Sequence, residues 1–157
     1  MGMLGWFVQK AQESLIWGVM AGAALTALLH SGAVTIAMTM GLASIQAITP
    51  KLGIAIVIGA NIGTCVTALI ASIGGSRFGL YVAWSHIILN AGGALLFLPL
   101  TGALDQLTAL LTSDPSAQIA HAQTIFNVVC SLLALPLCYL PGLRRIQPDT
   151  HPAPPQP

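Results

Sequence analysis

Charge is what this chain lacks most: 5 basic and 4 acidic residues among 157, with 55% hydrophobic. Soluble domains carry about 25% charged residues, so an ordinary soluble domain is excluded. No basic cluster is present to track a phosphodiester backbone, and nucleic acid is not an expected partner. The cysteines are few and odd in number. Cys65, Cys130 and Cys138 all lie in apolar segments and show neither metal-ligand spacing nor a disulfide framework, so they read as packing residues. Every acidic side chain (Glu13, Asp105, Asp114 and Asp149) falls outside the long apolar runs. That leaves no acid–base pair, nucleophile triad or metal cluster within them, and the chain is not expected to be an enzyme. A short basic-then-apolar leader with a cleavage site is also missing, so no removable signal is expected.

What is present is uncharged sequence in four stretches: residues 15–50, 52–76, 78–104 and 115–142. A membrane-spanning helix needs roughly 20 apolar residues, which each stretch supplies. The expected fold is therefore all-α and polytopic, with a membrane domain over residues 15–142. Residues 1–14 carry Trp6, Phe7, Lys10 and Glu13 and predict a short helix lying in the interface, anchored by Trp6 and Trp17. Pro and polar residues dominate residues 143–157, a disordered Pro-rich tail.

The first stretch is too long for one span, and its polar break falls mid-way, at His30-Ser31-Gly32-Ala33-Val34-Thr35. Two short helices meeting there would form a re-entrant hairpin that enters and leaves on one side, which is tolerated where protein covers the loosened backbone. Lys10 and Lys51 then share a side opposite Arg77, Arg144 and Arg145. As plain spans, Lys10 would join the arginines. The excess of basic residues puts the C-terminus in the cytoplasm in both cases.

The second stretch carries Gly59-Ala60-Asn61-Ile62-Gly63-Thr64 at its centre. Two readings compete. A span broken at mid-depth would line an ion and substrate site, as in many secondary transporters. Alternatively, the glycines are a helix-packing pair and the Asn is satisfied locally. The second half contains an internal echo: Asn90 precedes Pro99 as Asn127 precedes Pro136, each across a Leu-rich run.

The two polar breaks offer hydroxyls from Ser31, Thr35, Thr64 and Thr67, the Asn61 amide and the ends of half-helices. Half-helix N-termini suit an anion, while C-termini and carbonyl oxygens suit a small hard cation such as sodium. Neither break holds Lys or Arg, so an oxyanion there would need accompanying cations to neutralise it.

Several of these segments resemble one family. Thr26-Ala27-Leu28-Leu29-His30-Ser31 with the turn that follows looks like the Gln-Ser-Ser hairpin motif of the type II sodium/phosphate cotransporters. The string from Gly59 to Ala68 is similar to that family's broken helix. Ser85-His86-Ile87-Ile88-Leu89-Asn90 and the run from Ala120 to Asn127 resemble its two His/Asn helices. The resemblance implies half of an inverted-repeat transporter: a re-entrant hairpin, one broken transmembrane helix and two further transmembrane helices. It implies sodium-coupled symport of inorganic phosphate across the plasma membrane (the inner membrane of a bacterium). His30, Ser31, Gly32, Thr35, Asn61 and Thr64 would hold phosphate, and Ser31, Asn61, Thr64 and Thr67 would hold sodium. No cofactor is implied beyond sodium as the coupling ion.

The chain departs from that pattern twice. His30 stands where the family usually has Gln, and one motif Ser is missing. His30 would attract an anion when charged, or else simply bond a neighbouring carbonyl. Only one repeat is present, so besides the bilayer the expected partner is a second repeat, from another chain or a homodimer copy. The charge bias counts against an antiparallel homodimer. The alternative function is a non-transporting accessory or degenerate membrane subunit. His86, Asn90, Gln123 and Asn127 read as interhelical packing contacts, with no ligand role.

Overall fold

The computed structural model describes residues 14–136, with Gly2 alone before them. The rest of the expected interfacial helix, Cys138 and the tail from 143 lie outside the described residues. All regular structure among those described is helical: α1 (Leu15–Leu29), α2 (Gly32–Ser44), α3 (Pro50–Ser72), α4 (Arg77–Phe97), α5 (Thr101–Leu111) and α6 (Pro115–Ala134). By length and composition α3, α4 and α6 are able to cross a membrane. The chain is an all-α, polytopic membrane protein.

The hairpin predicted at His30 is present. His30 turns the chain in the left-handed region at φ 53°, and Ser31 follows in extended geometry with its Oγ accepting the Val34 N–H at 3.3 Å. The two arms have 15 and 13 residues, about 22 and 20 Å of helix, short of the roughly 30 Å hydrocarbon core. Thr26 closes the hairpin by donating its hydroxyl to Thr35 Oγ1 at 2.8 Å; both side chains are fully buried.

Contacts along α3 give the direction of each arm. Gly18 abuts Leu52, Gly22 abuts Ile56, and Gly63 abuts Ala23, so α1 runs parallel to α3. Returning, α2 places Gly32 beside Thr64 and Thr39 beside Gly53, antiparallel to α3. Both outer ends of the hairpin therefore sit at the Lys51 end of α3. Its tip reaches the level of Thr64, about 21 Å along a helix of about 33 Å. This is re-entrant geometry.

The break expected at Gly59–Thr64 is not there, because α3 runs unbroken from Pro50 to Ser72. The packing reading explains why. A Cβ on Gly59 would overlap the Val19 carbonyl, one on Gly22 the Ile56 carbonyl, and one on Gly63 would lie 2.5 Å from the Ala23 carbonyl oxygen. Small residues on both helices let the backbones touch, the usual basis of close helix association in lipid. Asn61 needs no unwound backbone, because its Nδ2 donates to the Val57 carbonyl of its own helix at 2.8 Å.

The core forms where α3 meets α2 and α6, around Ile54, Val57, Ile58, Ile119 and Phe126. Phe97 packs edge-on to Phe126 with centroids 5.1 Å apart. The long helices start at clear caps. Thr49 accepts from Leu52, Ser76 from Gly79, and Asp114 from both Ser116 and Ala117, with Pro50 and Pro115 in first-turn positions.

The short α5 is a further difference from the sequence reading, which carried one stretch through to Leu104. Pro99 has no N–H to continue the ladder, so α4 ends at Phe97, and α5 then buries Thr101, Leu104 and Thr108. The internal echo is structural: α4 and α6 each end two residues before Pro99 and Pro136. Asn90 and Asn127 also match, each donating Nδ2 to the carbonyl four residues earlier at 3.0 Å.

Candidate functional site

A network of uncharged polar side chains ties the long helices together at the level of the hairpin tip. Asn61 Nδ2 donates to Gln123 Oε1 at 2.9 Å, and Gln123 Nε2 donates back to Asn61 Oδ1 at 3.2 Å. This reciprocal amide pair joins α3 to α6. On the next turn of α3, Thr64 Oγ1 donates to the Asn61 carbonyl at 2.7 Å, and Thr67 Oγ1 donates to the Thr64 carbonyl at 2.6 Å.

Thr64 also meets α4, its Oγ1 lying 3.2 Å from His86 Nε2. Two oxygens 2.7 Å apart need a proton between them, and Thr64 has only one to give. The Thr64 hydroxyl hydrogen therefore points to the Asn61 carbonyl, and the contact with His86 is met by Nε2–H donating to the Thr64 oxygen lone pair. The His86 tautomer follows from the contacts around Thr64.

Beside this network a cleft of about 410 Å³ opens between α3, α4 and α6. Its polar lining is Asn61 and Thr64 from α3, His86 and Asn90 from α4, and Asn127 and Ser131 from α6. Leu89, Cys130, Ala134 and Leu135 complete the wall, so no Asp, Glu, Lys or Arg among the described residues faces it. Such a surface can coordinate a small ion through oxygen and nitrogen atoms, but has no fixed charge to offer.

Of the residues expected from sequence, Asn61 and Thr64 line this cleft and Gly32 touches the far side of Thr64, where an added Cβ would lie 3.1 Å from its methyl. His30 is exposed at the tip and Ser31 is half-buried beside it; neither lines the cleft. Thr35 is fully buried between the hairpin arms, and Thr67 directs its hydroxyl hydrogen to its own helix. The structure thus joins part of the expected set, leaving His30, Ser31 and Thr35 in the hairpin and Thr67 further along α3.

Sequence reasoning took His86, Asn90, Gln123 and Asn127 as interhelical packing contacts, which fits Gln123 in its pair with Asn61, and did not consider Ser131; His86, Asn90, Asn127 and Ser131 also line the cleft. Spacing alone carries the alignment: His86 and Asn90 are four apart, and Gln123, Asn127 and Ser131 follow one another at the same interval, which keeps each set on one helix face.

Comparison with known proteins places this geometry in context. A family model described as Na+/Pi-cotransporter matches residues 2–113, covering α1 to α5 and stopping just short of α6. The chain is similar to the uncharacterized protein YqeW of Bacillus subtilis (strain 168), at 38% identity over 119 residues. That alignment covers 76% of this chain and 39% of YqeW, so the chain spans well under half the length of that relative. No solved structure matches it.

Proposed function

The chain belongs to the Na+/Pi-cotransporter family, and from that premise we propose that it carries inorganic phosphate across the plasma membrane by symport with sodium, as one half of the carrier. The observation that carries this reading is the charge-free cleft of Asn61, Thr64, His86 and Asn90 at the depth of the hairpin tip. A phosphate entering it would bring negative charge into a site without Lys or Arg, and accompanying sodium ions would neutralise that charge. The N-terminus of α2, behind Thr64, adds partial positive charge from the same direction. Sodium is the coupling ion in this reading, and no resident cofactor is required.

The cleft is open rather than enclosed, and the second repeat would close it from another chain. The span of YqeW beyond the matched region is compatible with such a second unit. Moving the two units against each other would expose the cleft alternately to each side. The C-terminus is assigned to the cytoplasm from the excess of basic residues near it.

The alternative, a non-transporting accessory subunit, draws on one observation: the Asn61 amide is already held by Val57 and Gln123. The test is radiolabelled phosphate uptake into vesicles from cells expressing the full chain together with the second repeat that completes it, with and without an inward sodium gradient. Uptake that rises several-fold with the gradient supports sodium symport. Equal uptake removes sodium coupling, and uptake that never exceeds that of vesicles without the chain leaves the accessory reading.

A further inference from the structure

Resting on α6 as a membrane span and not on the transported solute, we infer that the outward face of α6 is a docking surface for a second copy of this chain. The helix is long and apolar enough to cross a membrane, and it packs against its own chain through Gln118, Ile119, Ala122 and Phe126. On the opposite side it exposes His121, Thr124, Asn127 and Ser131, with Val128 among them. At about 100° per residue the four polar positions fall within roughly 120° of arc and cover about 15 Å of the helix. Hydrogen-bonding side chains at that depth are costly against hydrocarbon, so they face protein or a water-filled cavity and bond to neighbouring helices. The cleft accounts for Asn127 and Ser131 only, since His121 and Thr124 do not line it. On α4 the outward positions Val82, Ile88 and Leu95 are apolar, as a surface against lipid requires. The two spans turn unlike faces outward.

The chemistry of this face selects its occupant. Residues 115–134 include no Asp, Glu, Lys or Arg, so a charged partner has nothing to pair with. The polar groups are instead complementary to themselves. The Ser131 hydroxyl and the neutral His121 ring each hold both a donor and an acceptor. Asn127 commits one Nδ2 hydrogen to the Gln123 carbonyl at 3.0 Å and keeps the other, together with Oδ1. Thr124 gives its hydrogen to the Ala120 carbonyl at 3.0 Å and keeps an oxygen lone pair. A copy of the same face, related by a two-fold axis, offers each of these groups its counterpart, and two-fold pairs need just such a self-complementary patch. Thr124 lies at the middle of α6. An axis passing there brings the two α6 helices together whether the copies run parallel or inverted.

The test is oxidative cross-linking of the full chain in membranes, with the unaltered chain and its own Cys65, Cys130 and Cys138 as background. Thr124→Cys should give a band at twice the chain mass, several-fold above that background, and Ile88→Cys on α4 should not. Ser131→Cys pairs with itself in a parallel dimer and with Ala117→Cys in an inverted one; either pairing supports the inference and gives the direction of the copy. A second measurement, energy transfer between two differently labelled pools of the chain, starts from the unaltered protein. There His121→Leu and Asn127→Leu should each weaken association by about tenfold, because every substitution counts twice in a symmetric pair. Monomers from both cysteine variants, dimers through Ile88→Cys instead, or Thr124→Cys joined only to a different protein would overturn the inference and leave the transport reading standing. So would association unchanged in both leucine variants.

Discussion

Gly63→Ala tests the claim that glycines in the middle of α3 serve packing. A Cβ at position 63 would lie 2.5 Å from the Ala23 carbonyl oxygen and 2.6 Å from Thr26 Cβ. Ordinary contact is nearer 3.4 Å, so α1 and α3 must part by close to an ångström. Neither neighbour is the free end of a flexible side chain that could swing away. Overpacking costs about 1 to 3 kcal/mol, and the upper end applies here. The gap opened along the rest of the interface forfeits a quarter to a half of the dispersion attraction of the contacts it touches. Against this, Ala favours helix over Gly by about 1 kcal/mol, leaving a net loss of about 2 kcal/mol. Gly92→Ala isolates that favourable part, since nothing lies within 4 Å of its Cβ position. The assay is reversible unfolding of both variants in mixed micelles. Gly63→Ala should fall below the parent and Gly92→Ala should match or exceed it. Equal stability of the two variants would refute the packing argument.

Two further outcomes follow from the contacts described. The reciprocal Asn61–Gln123 amide pair should show a coupling of about 0.6 to 2 kcal/mol in a double-mutant cycle with Asn61→Ala and Gln123→Ala, and strictly additive losses would show that the pair contributes nothing. On α5, outside the three spans, burial raises the Asp105 carboxyl above its ordinary range and Lys51 partly lowers it again. A carboxyl raised in the folded state favours folding below its unfolded pKa and loses that contribution as pH rises through the folded value. Asp105→Asn should therefore flatten the pH dependence of melting between mildly acidic and neutral conditions, and Lys51→Ala should steepen it. A parent protein whose melting temperature rises with pH over that window would contradict the sign.

The hairpin was legible in the sequence because its determinants are local. His30 in the left-handed region and Ser31 as a cap are what a polar interruption of an apolar stretch predicts. The supposed break at Asn61 failed for the opposite reason. Whether a glycine loosens a helix or seats a neighbour depends on what lies across from it, and here that is Val19, Ala23 and Thr26, some forty residues earlier. The side chains of Asn61, Thr64 and Thr67 bond to carbonyls of α3 itself, so the polar centre needs no unwinding to be satisfied. The cleft was half-visible. Asn61 and Thr64 stood out by motif as site residues, whereas His86, Asn90 and Asn127 stood out by motif but read as packing contacts, and their place in the cleft depends on α4 and α6 facing one another across a gap. Pro99 was read as part of a repeated run, and its role in ending α4 and starting α5 was missed.

The depth of the hairpin tip has an electrical meaning. A monovalent cation that reaches the level of Thr64 from the Lys51 side has passed about two thirds of the length of α3, and a cation arriving from the Arg77 side about one third. With a membrane potential of 100 mV worth about 2.3 kcal/mol per charge, the first route couples roughly 1.5 kcal/mol of field energy to occupancy and the second roughly half of that. If the proposed sodium symport holds, where the chain turns at His30 would set how strongly voltage biases the filling of the cleft from each face of the membrane.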